Sequence, residues 1–108
     1  APNIGLTNLY AIIDKNNFQQ TGTNKEIMST ENLVEKWKSF GWETNEVDGH
    51  DIEKIYDVFN QKNVSIKPKA IIANTIKGKG FSFSENNNDW HHAVLSKALY
   101  EKAKEELI

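Results

Sequence analysis

Asn16 lies in a polar segment that directly follows an apolar run at residues 9–13. Open α/β sheets bind ligands at the carboxyl ends of their strands, so a strand followed by Asp14 and Asn16 places oxygen donors there. A side-chain amide oxygen with a nearby backbone carbonyl suits Mg²⁺ or Ca²⁺ better than a soft metal. A plain turn is the alternative, because asparagine tolerates left-handed backbone and stabilises turns.

A second segment, Thr-Ile-Lys-Gly-Lys-Gly at residues 75–80, combines glycine with positive charge. Gly78 and Gly80 would allow a close approach of the backbone to a phosphate, and Lys77 or Lys79 would supply the charge. The segment is not a P-loop, because the pattern Gly-x-x-x-x-Gly-Lys-Ser/Thr is absent. The alternative is a solvated basic turn.

A third segment contains two adjacent histidines, His91 and His92. Histidine exchanges a proton near neutral pH, so His91 is a candidate for proton transfer. The alternative is a surface pair that caps the final helix. His50 precedes a predicted helix, and we interpret it as a turn residue.

Composition and charge exclude several classes. The chain has 108 residues, a net charge of −2 and no cysteine. Disulfides and thiol chemistry are therefore excluded, and the acidic balance opposes broad binding to nucleic acid or to an acidic membrane. No apolar run approaches the roughly 18 residues of a membrane span. A nucleic-acid binder remains a weak alternative because of one basic cluster near two phenylalanines. That cluster comprises Lys67, Lys69, Lys77 and Lys79.

Three segments are predicted to be strands. Residues 9–13 and 70–73 are apolar throughout, which is typical of strands covered on both faces. Residues 42–47 are less apolar, so we place that strand nearer a sheet edge. Alternation of strands with helices predicts parallel pairing through right-handed crossovers. The expected fold class is α/β, with a parallel sheet, flanking helices and half of a doubly wound domain. The apolar strands need more neighbours than this chain supplies, so residues 1–108 are expected to form part of a domain.

Three helices are predicted around these strands. The first ends at Gly41, which serves as a carboxyl-terminal cap. The second presents an apolar face, and its members are Ile52, Ile55, Tyr56 and Phe59. The last covers residues 93–107 and is expected to turn Val94, Leu95, Ala98 and Leu99 inward.

Taken together, these segments resemble the later part of the diphosphate-binding domain of transketolases. The chain looks closest to the separate amino-terminal subunits of split bacterial transketolases, and the resemblance runs from about Leu6 to His92. Its motifs are Ala-Ile-Ile-Asp-Lys-Asn-Asn at 11–17, Glu-Lys-Trp at 35–37, Phe-Gly-Trp-Glu at 40–43, Val-Asp-Gly-His-Asp at 47–51, Thr-Ile-Lys-Gly-Lys-Gly at 75–80 and Trp-His at 90–91.

The resemblance implies a site for thiamine diphosphate held through a divalent metal, Mg²⁺ or Ca²⁺. It implies that the Asn16 side chain and the Phe18 carbonyl are metal ligands. By the same resemblance Gln20 lies near the thiamine or the donor sugar, and Lys77 lies near the cofactor. His91 matches the histidine that contacts the diphosphate and the reacting substrate.

The implied activity is that of a transferase, which moves a two-carbon ketol unit between sugar phosphates. An enzyme similar to deoxyxylulose-phosphate synthase is the alternative within thiamine enzymes, and Trp90-His91 favours transketolase. A non-catalytic α/β interaction module is the alternative outside them. His92 stands where the family usually has glycine, so the resemblance does not identify the acceptor sugar.

The chain departs from the family by what it lacks. It contains no Gly-Asp-Gly, whose aspartate holds the metal in the family, and it lacks the glutamate that belongs to another domain. The resemblance therefore implies an incomplete active site. The expected partners are an upstream Gly-Asp-Gly segment and a pyrimidine-binding domain or subunit, in a cytoplasmic oligomer.

Overall fold

The computed structural model describes residues 1–19, 22–23, 32–61 and 66–107. The elements are, in chain order, β1 (Tyr10–Lys15), β2 (Phe18–Gln19), β3 (Gly22–Thr23), α1 (Leu33–Ser39), β4 (Glu43–Asp48), α2 (Ile52–Asn60), β5 (Lys69–Asn74) and α3 (Lys97–Glu106). They divide into two compact units. The sheet unit comprises Ala1–Lys15 and Thr30–Thr75, and the loop unit comprises Asn16–Ser29 and Ile76–Ile108.

The sheet unit contains a three-stranded parallel sheet in the order β1-β5-β4. The last strand in sequence lies between the two earlier ones, and Ile71 at its centre is in register with Ile12 of β1 and Asn45 of β4. The predicted α/β class and parallel pairing are confirmed. The position of β4 at an edge, expected from its polar sequence, is confirmed as well.

The core of the sheet unit lies against the central strand. Residues 69–73 of β5 are all buried. On one face Ile71 packs with three other buried side chains, and Ile55 of α2 packs against that cluster. The other three members are Val47, Val58 and Ala73. Residues 70–73 lie between two neighbouring strands and are buried, which explains why these four residues of β5 are all apolar.

β1 differs from the strand that the sequence predicts. Its residues alternate between exposed and half-buried, and Ile12 is 62% exposed. Within the described residues, no strand pairs with the outer edge of β1. Within the described residues β1 is therefore not covered on both faces, whereas β5 is buried.

The end of α1 is determined by Gly41. Gly41 adopts φ +86°, and its N–H donates to the Lys38 carbonyl at 2.9 Å. The next N–H, from Trp42, reaches back to the Trp37 carbonyl at 3.1 Å. These two bonds form a Schellman motif, and the Trp37 and Trp42 rings pack edge to face at 4.8 Å. Gly41 is thus confirmed as the terminator of this helix.

The buried face of α2 agrees with the prediction only in part, since Ile55 packs against the core cluster as expected. Asp51 begins the helix, because its carboxylate accepts a hydrogen bond from the Lys54 N–H at 3.0 Å. Val58 is buried, whereas Ile52 and Tyr56 are 81% and 66% exposed. The helix is rotated so that residues 55 and 58, rather than 52 and 56, face the sheet.

α3 begins later than predicted. Ser96 caps it, with its Oγ accepting a hydrogen bond from the Leu99 N–H at 3.3 Å, and residues 93–96 are not helical. Val94 is 95% exposed, and the buried residue of α3 is Ala103. The expected inward positions of Val94, Leu95 and Ala98 are therefore wrong. None of the described helices is long and apolar enough to cross a membrane.

Candidate functional site

Asn16 organises the turn that follows β1. Its Oδ1 accepts a hydrogen bond from the Phe18 N–H at 3.0 Å, and Asn17 adopts φ +65°. The chain then enters a short antiparallel ladder, in which Phe18 pairs with Thr23. The turn interpretation of this segment is thus correct for its local structure. The turn thus holds the Asn16 amide oxygen against the backbone of Phe18.

The donor set here fits a hard divalent ion in part. An amide oxygen has two acceptor positions, so a turn hydrogen bond and a bond to a cation are chemically compatible. Asn16 and the Phe18 carbonyl would supply two oxygens of the about six that Mg²⁺ requires. Among residues 1–19, 22–23, 32–61 and 66–107 there is no cluster of three His, Asp or Glu side chains that could hold a metal. These residues therefore suit an ion whose other ligands come from elsewhere.

The glycine-rich segment is part of a closed loop. At its mouth the Asn86 N–H donates to the Lys77 carbonyl at 2.9 Å. Inside it the Ser84 hydroxyl donates to the Gly78 carbonyl at 2.9 Å. Gly78 has φ +71°, and a Cβ there would overlap the Ser84 carbonyl oxygen. Because only glycine allows this approach, the segment is an ordered loop and not merely a solvated turn.

Lys77 and His91 meet within the loop unit. The Lys77 Nζ lies 3.4 Å from the His91 Nδ1. An ammonium group can only donate, so a hydrogen bond between these two atoms has Nδ1 as its acceptor. The His92 ring packs edge-on against His91 at 4.7 Å. Since Ser96 caps α3, the alternative in which the histidine pair caps that helix is wrong.

His91 is held at the end of a short 3-10 helix, Asn88–His91. The Asn87 side chain begins this helix by accepting a hydrogen bond from the Asp89 N–H at 3.0 Å. The Trp90 ring lies 5.0 Å from the Phe83 ring of the glycine-rich loop. The loop and the histidine segment therefore pack as one structure.

The predicted site residues fall into three groups. The structure brings Lys77 and His91 together. Asn16 and Phe18 form a turn within the loop unit, and their convergence with Lys77 and His91 stays a prediction. Gln20 lies outside the described residues.

A polar network that the sequence did not reveal joins the strand ends of the sheet unit. One oxygen of Glu46 in β4 accepts hydrogen bonds from the Lys15 ammonium of β1 and from the Asn74 amide of β5, both at 3.0 Å. The Asn74 hydrogen bond, followed by that from Lys15, lowers the pKa of Glu46. The Thr75 hydroxyl donates to the Asp14 carboxylate. Lys15 and Thr75 are the residues after which the chain enters the loop unit.

Gly49 completes the packing at these strand ends. Its N–H donates to the Asn74 carbonyl at 2.8 Å, and a Cβ at this position would overlap the Thr75 Cγ2. A larger residue would therefore displace the end of β5. His50, the next residue, donates its N–H to the Asp48 carboxylate at 2.9 Å, which confirms it as a turn residue.

Comparisons with known proteins place this chain in a family. The family described as transketolase, thiamine diphosphate binding domain, matches residues 1–107. An apulose-4-phosphate transketolase subunit from Phocaeicola vulgatus is 41% identical over 103 residues, which are 94% of this chain and 37% of that protein. The SqwG subunit of a 6-deoxy-6-sulfo-D-fructose transketolase from Clostridium sp. is 40% identical over 94% of this chain and 38% of its own length. The chain thus spans less than two fifths of these relatives.

The fold agrees with that of solved transketolases. A crystal structure of transketolase from Campylobacter jejuni superposes with a TM-score of 0.86 at 33% identity, covering 96% of this chain and 16% of that one. Similarity therefore extends through the sheet and the loops rather than over isolated motifs. The resemblance to transketolases expected from the sequence is confirmed: this chain belongs to the transketolase family, within its thiamine diphosphate-binding domain.

Proposed function

We propose that this chain is part of a transketolase that moves a two-carbon ketol unit between sugar phosphates, with thiamine diphosphate anchored through a divalent metal. The observation that carries the proposal is the contact of 3.4 Å between Lys77 and His91. These residues belong to two motifs that are 14 positions apart, and the resemblance to transketolases implies that both lie near the cofactor. Relatives that are named as transketolase subunits support the reaction class.

In this proposal Asn16 and Phe18 hold the metal. The Asn16 Oδ1 and the Phe18 carbonyl oxygen bind Mg²⁺, or Ca²⁺, and the diphosphate supplies further oxygens, because Mg²⁺ binds substrate phosphates with few protein ligands. The two donors are separated only by Asn17, which adopts a left-handed backbone conformation. Gln20 lies near the thiamine or the donor sugar.

His91 and Lys77 act on the ligand side of the site. In this proposal the His91 Nδ1 faces Lys77, and its Nε2 is the ring atom that exchanges a hydrogen bond or a proton with a substrate oxygen. The Lys77 ammonium contributes positive charge beside the diphosphate. Thiamine diphosphate, when bound, supplies the carbon nucleophile of the reaction.

The substrates are proposed to be sugar phosphates or close analogues. The two relatives are named for apulose-4-phosphate and for 6-deoxy-6-sulfo-D-fructose, so related subunits serve different ketoses. In this chain His92 adds an imidazole next to the reacting position, and its ring contacts that of His91. We propose that His92 influences which acceptor is used.

We further propose that residues 1–108 form a partial domain whose active site is completed by other segments. The missing parts are a Gly-Asp-Gly segment, which would supply an aspartate to the metal, and a pyrimidine-binding domain or subunit in a cytoplasmic oligomer. Two oxygens are too few to hold Mg²⁺ tightly. Titration calorimetry of this chain alone should therefore detect no tight binding of thiamine diphosphate, and Mg²⁺-dependent micromolar affinity would contradict this part of the proposal.

The activity is tested in the assembled enzyme with two variants that should fail differently. Asn16→Ala should raise the thiamine diphosphate concentration that gives half-maximal activity. Excess Mg²⁺ and thiamine diphosphate should partly restore the reaction rate. His91→Ala should lower kcat or raise KM for the sugar substrate even with saturating cofactor. A group that takes part in proton transfer typically increases the reaction rate by about 10²–10⁴-fold. The measurement is steady-state kinetics at limiting and saturating thiamine diphosphate.

Matched controls come from exposed residues of the sheet unit. Asn60→Ala removes an amide that only donates to the Tyr56 carbonyl within α2, and His50→Ala removes a turn histidine. Both controls should keep wild-type cofactor dependence. Full activity of Asn16→Ala and His91→Ala at limiting cofactor would contradict the proposal and favour a turn-and-cap role in an interaction module.

A further inference from the structure

We propose that Ser84 is a positioning residue that orients Lys77 toward His91. This inference rests on the function proposed for Lys77. Ser84 is only 6% exposed, and among the described residues it is the buried polar side chain of the loop unit. A buried hydroxyl is stable only when it is hydrogen-bonded, so its position reports what it holds in place.

The Ser84 hydroxyl lies at the centre of the glycine-rich loop. Its Oγ is 2.9 Å from the Gly78 carbonyl oxygen and 3.2 Å from the Phe81 carbonyl oxygen, so its proton joins the outgoing and returning parts of the loop. Gly78 also approaches the Ser84 backbone so closely that a Cβ on Gly78 would overlap the Ser84 carbonyl oxygen. Ser84 therefore holds the peptide between Gly78 and Lys79, one residue after Lys77.

The neighbours of Ser84 close the same loop from outside. The Glu85 carboxylate accepts from the Gly80 N–H at 3.1 Å, and the Asn86 N–H donates to the Lys77 carbonyl at 2.9 Å. On the other side Phe83 contacts the Trp90 ring, and Trp90 directly precedes His91. The Lys77–His91 contact thus depends at both ends on a loop wound around the Ser84 hydroxyl.

The test is a double-mutant cycle in the assembled enzyme, read as the thiamine diphosphate concentration that gives half-maximal activity. Ser84→Ala should raise this concentration on the order of three- to tenfold, the effect of one net hydrogen bond. In a Lys77→Ala background the same change should have almost no further effect, because Ser84 acts through Lys77. Ser39→Ala is the matched control, since the Ser39 hydroxyl also donates to a backbone carbonyl, that of Lys36, at 2.7 Å in α1.

A spectroscopic readout on the assembled enzyme without cofactor separates positioning from loss of fold. Ser84→Ala and Lys77→Ala should shift the NMR signals of the His91 ring in the same direction, while the amide signals of β5 stay in place. If the alanine variant fails to fold, Ser84→Cys keeps the buried volume and weakens the hydrogen bond, and it should shift the same signals.

Each outcome decides between the two proposals. Equal effects of Ser84→Ala with and without Lys77 would overturn the positioning role, and so would unchanged cofactor dependence in Ser84→Ala when Lys77→Ala is impaired. Unchanged cofactor dependence in Lys77→Ala would instead overturn the role that the proposed function gives to Lys77. Loss of the Ser84 effect in the Lys77→Ala background would support both.

Discussion

Replacing one isoleucine in each of two paired strands tests which strand of the sheet is buried. Ile71 of β5 and Ile12 of β1 are register partners, and both have the same side chain. Ile71 is 1% exposed and lies in the core cluster, whereas Ile12 is 62% exposed. The substitutions Ile71→Ala and Ile12→Ala remove the same three carbon atoms, so any difference in their effects reports the difference in burial.

The expected losses of unfolding free energy follow from these exposures. Three buried carbon groups at about 0.8 kcal/mol each contribute about 2.4 kcal/mol at Ile71, and the cavity left in a packed core raises the loss to about 3–4 kcal/mol. At Ile12 less than half of this surface is buried, and solvent fills the space that is vacated. The loss there should be about 1 kcal/mol.

Urea unfolding of this chain at 25 °C, followed by tryptophan fluorescence, measures both losses from the shift of the midpoint. An unchanged slope of unfolding free energy against urea concentration shows that the two variants unfold as the parent does. Equal losses, or a larger loss at Ile12, would refute the assignment of β5 as the buried centre and of β1 as an edge strand.

Two further outcomes are expected. Gly78→Ala should speed hydrogen exchange of the Asn86 amide by at least about tenfold, because the new Cβ overlaps the Ser84 backbone. Gly5→Ala is the control, because Gly5 has nearly the same φ (+69° against +71°) but no heavy atom within 4 Å of the added Cβ. The control should leave exchange of the Asn86 amide unchanged. The lowered pKa of Glu46 means that its ionised form stabilises the fold above the ordinary glutamate pKa, and that this contribution is lost as pH falls through the lowered value. The melting temperatures of the parent and Glu46→Gln should therefore differ at neutral pH and converge as the pH falls through the lowered pKa of Glu46. The free-energy difference at neutral pH should stay below about 1 kcal/mol, because the Glu46 side chain is 41% exposed. A difference that stays constant as the solution is acidified would contradict the hydrogen-bond assignment.

Local chemistry in the sequence predicted several features of the fold correctly. The unbroken apolar run of β5 indicated a covered strand, and it is buried from Lys69 to Ala73. Gly41 indicated a helix end, because a residue with φ +86° is most readily glycine. The alternation of strands and helices indicated parallel pairing, since parallel strands need a crossover between them. Each of these features depends on one residue type or one short run.

The sequence was less informative about which side of an element is buried. Ile52 and Tyr56 have the spacing of a helix face, yet Ile55 and Val58 are the residues that pack in the core of the sheet unit. The apolar positions of this short helix spread over a wide arc, so its rotation is set by the strands it packs against. In β1 the apolar pattern is that of a covered strand, and its place at the edge follows only from the order β1-β5-β4.

For the candidate site, too, the sequence identified the residues but not the contacts between them. Asn16, Lys77 and His91 were identified by residue type and by motif order, which the sequence carries in full. The contact between Lys77 and His91 was not visible there, nor was the hydroxyl of Ser84 that holds the loop. Residue types and motif order were thus enough to identify the family and the chemical groups available to it. Which of those groups meet is known only from the folded chain, because contacts between residues distant in sequence depend on how the loops close and pack.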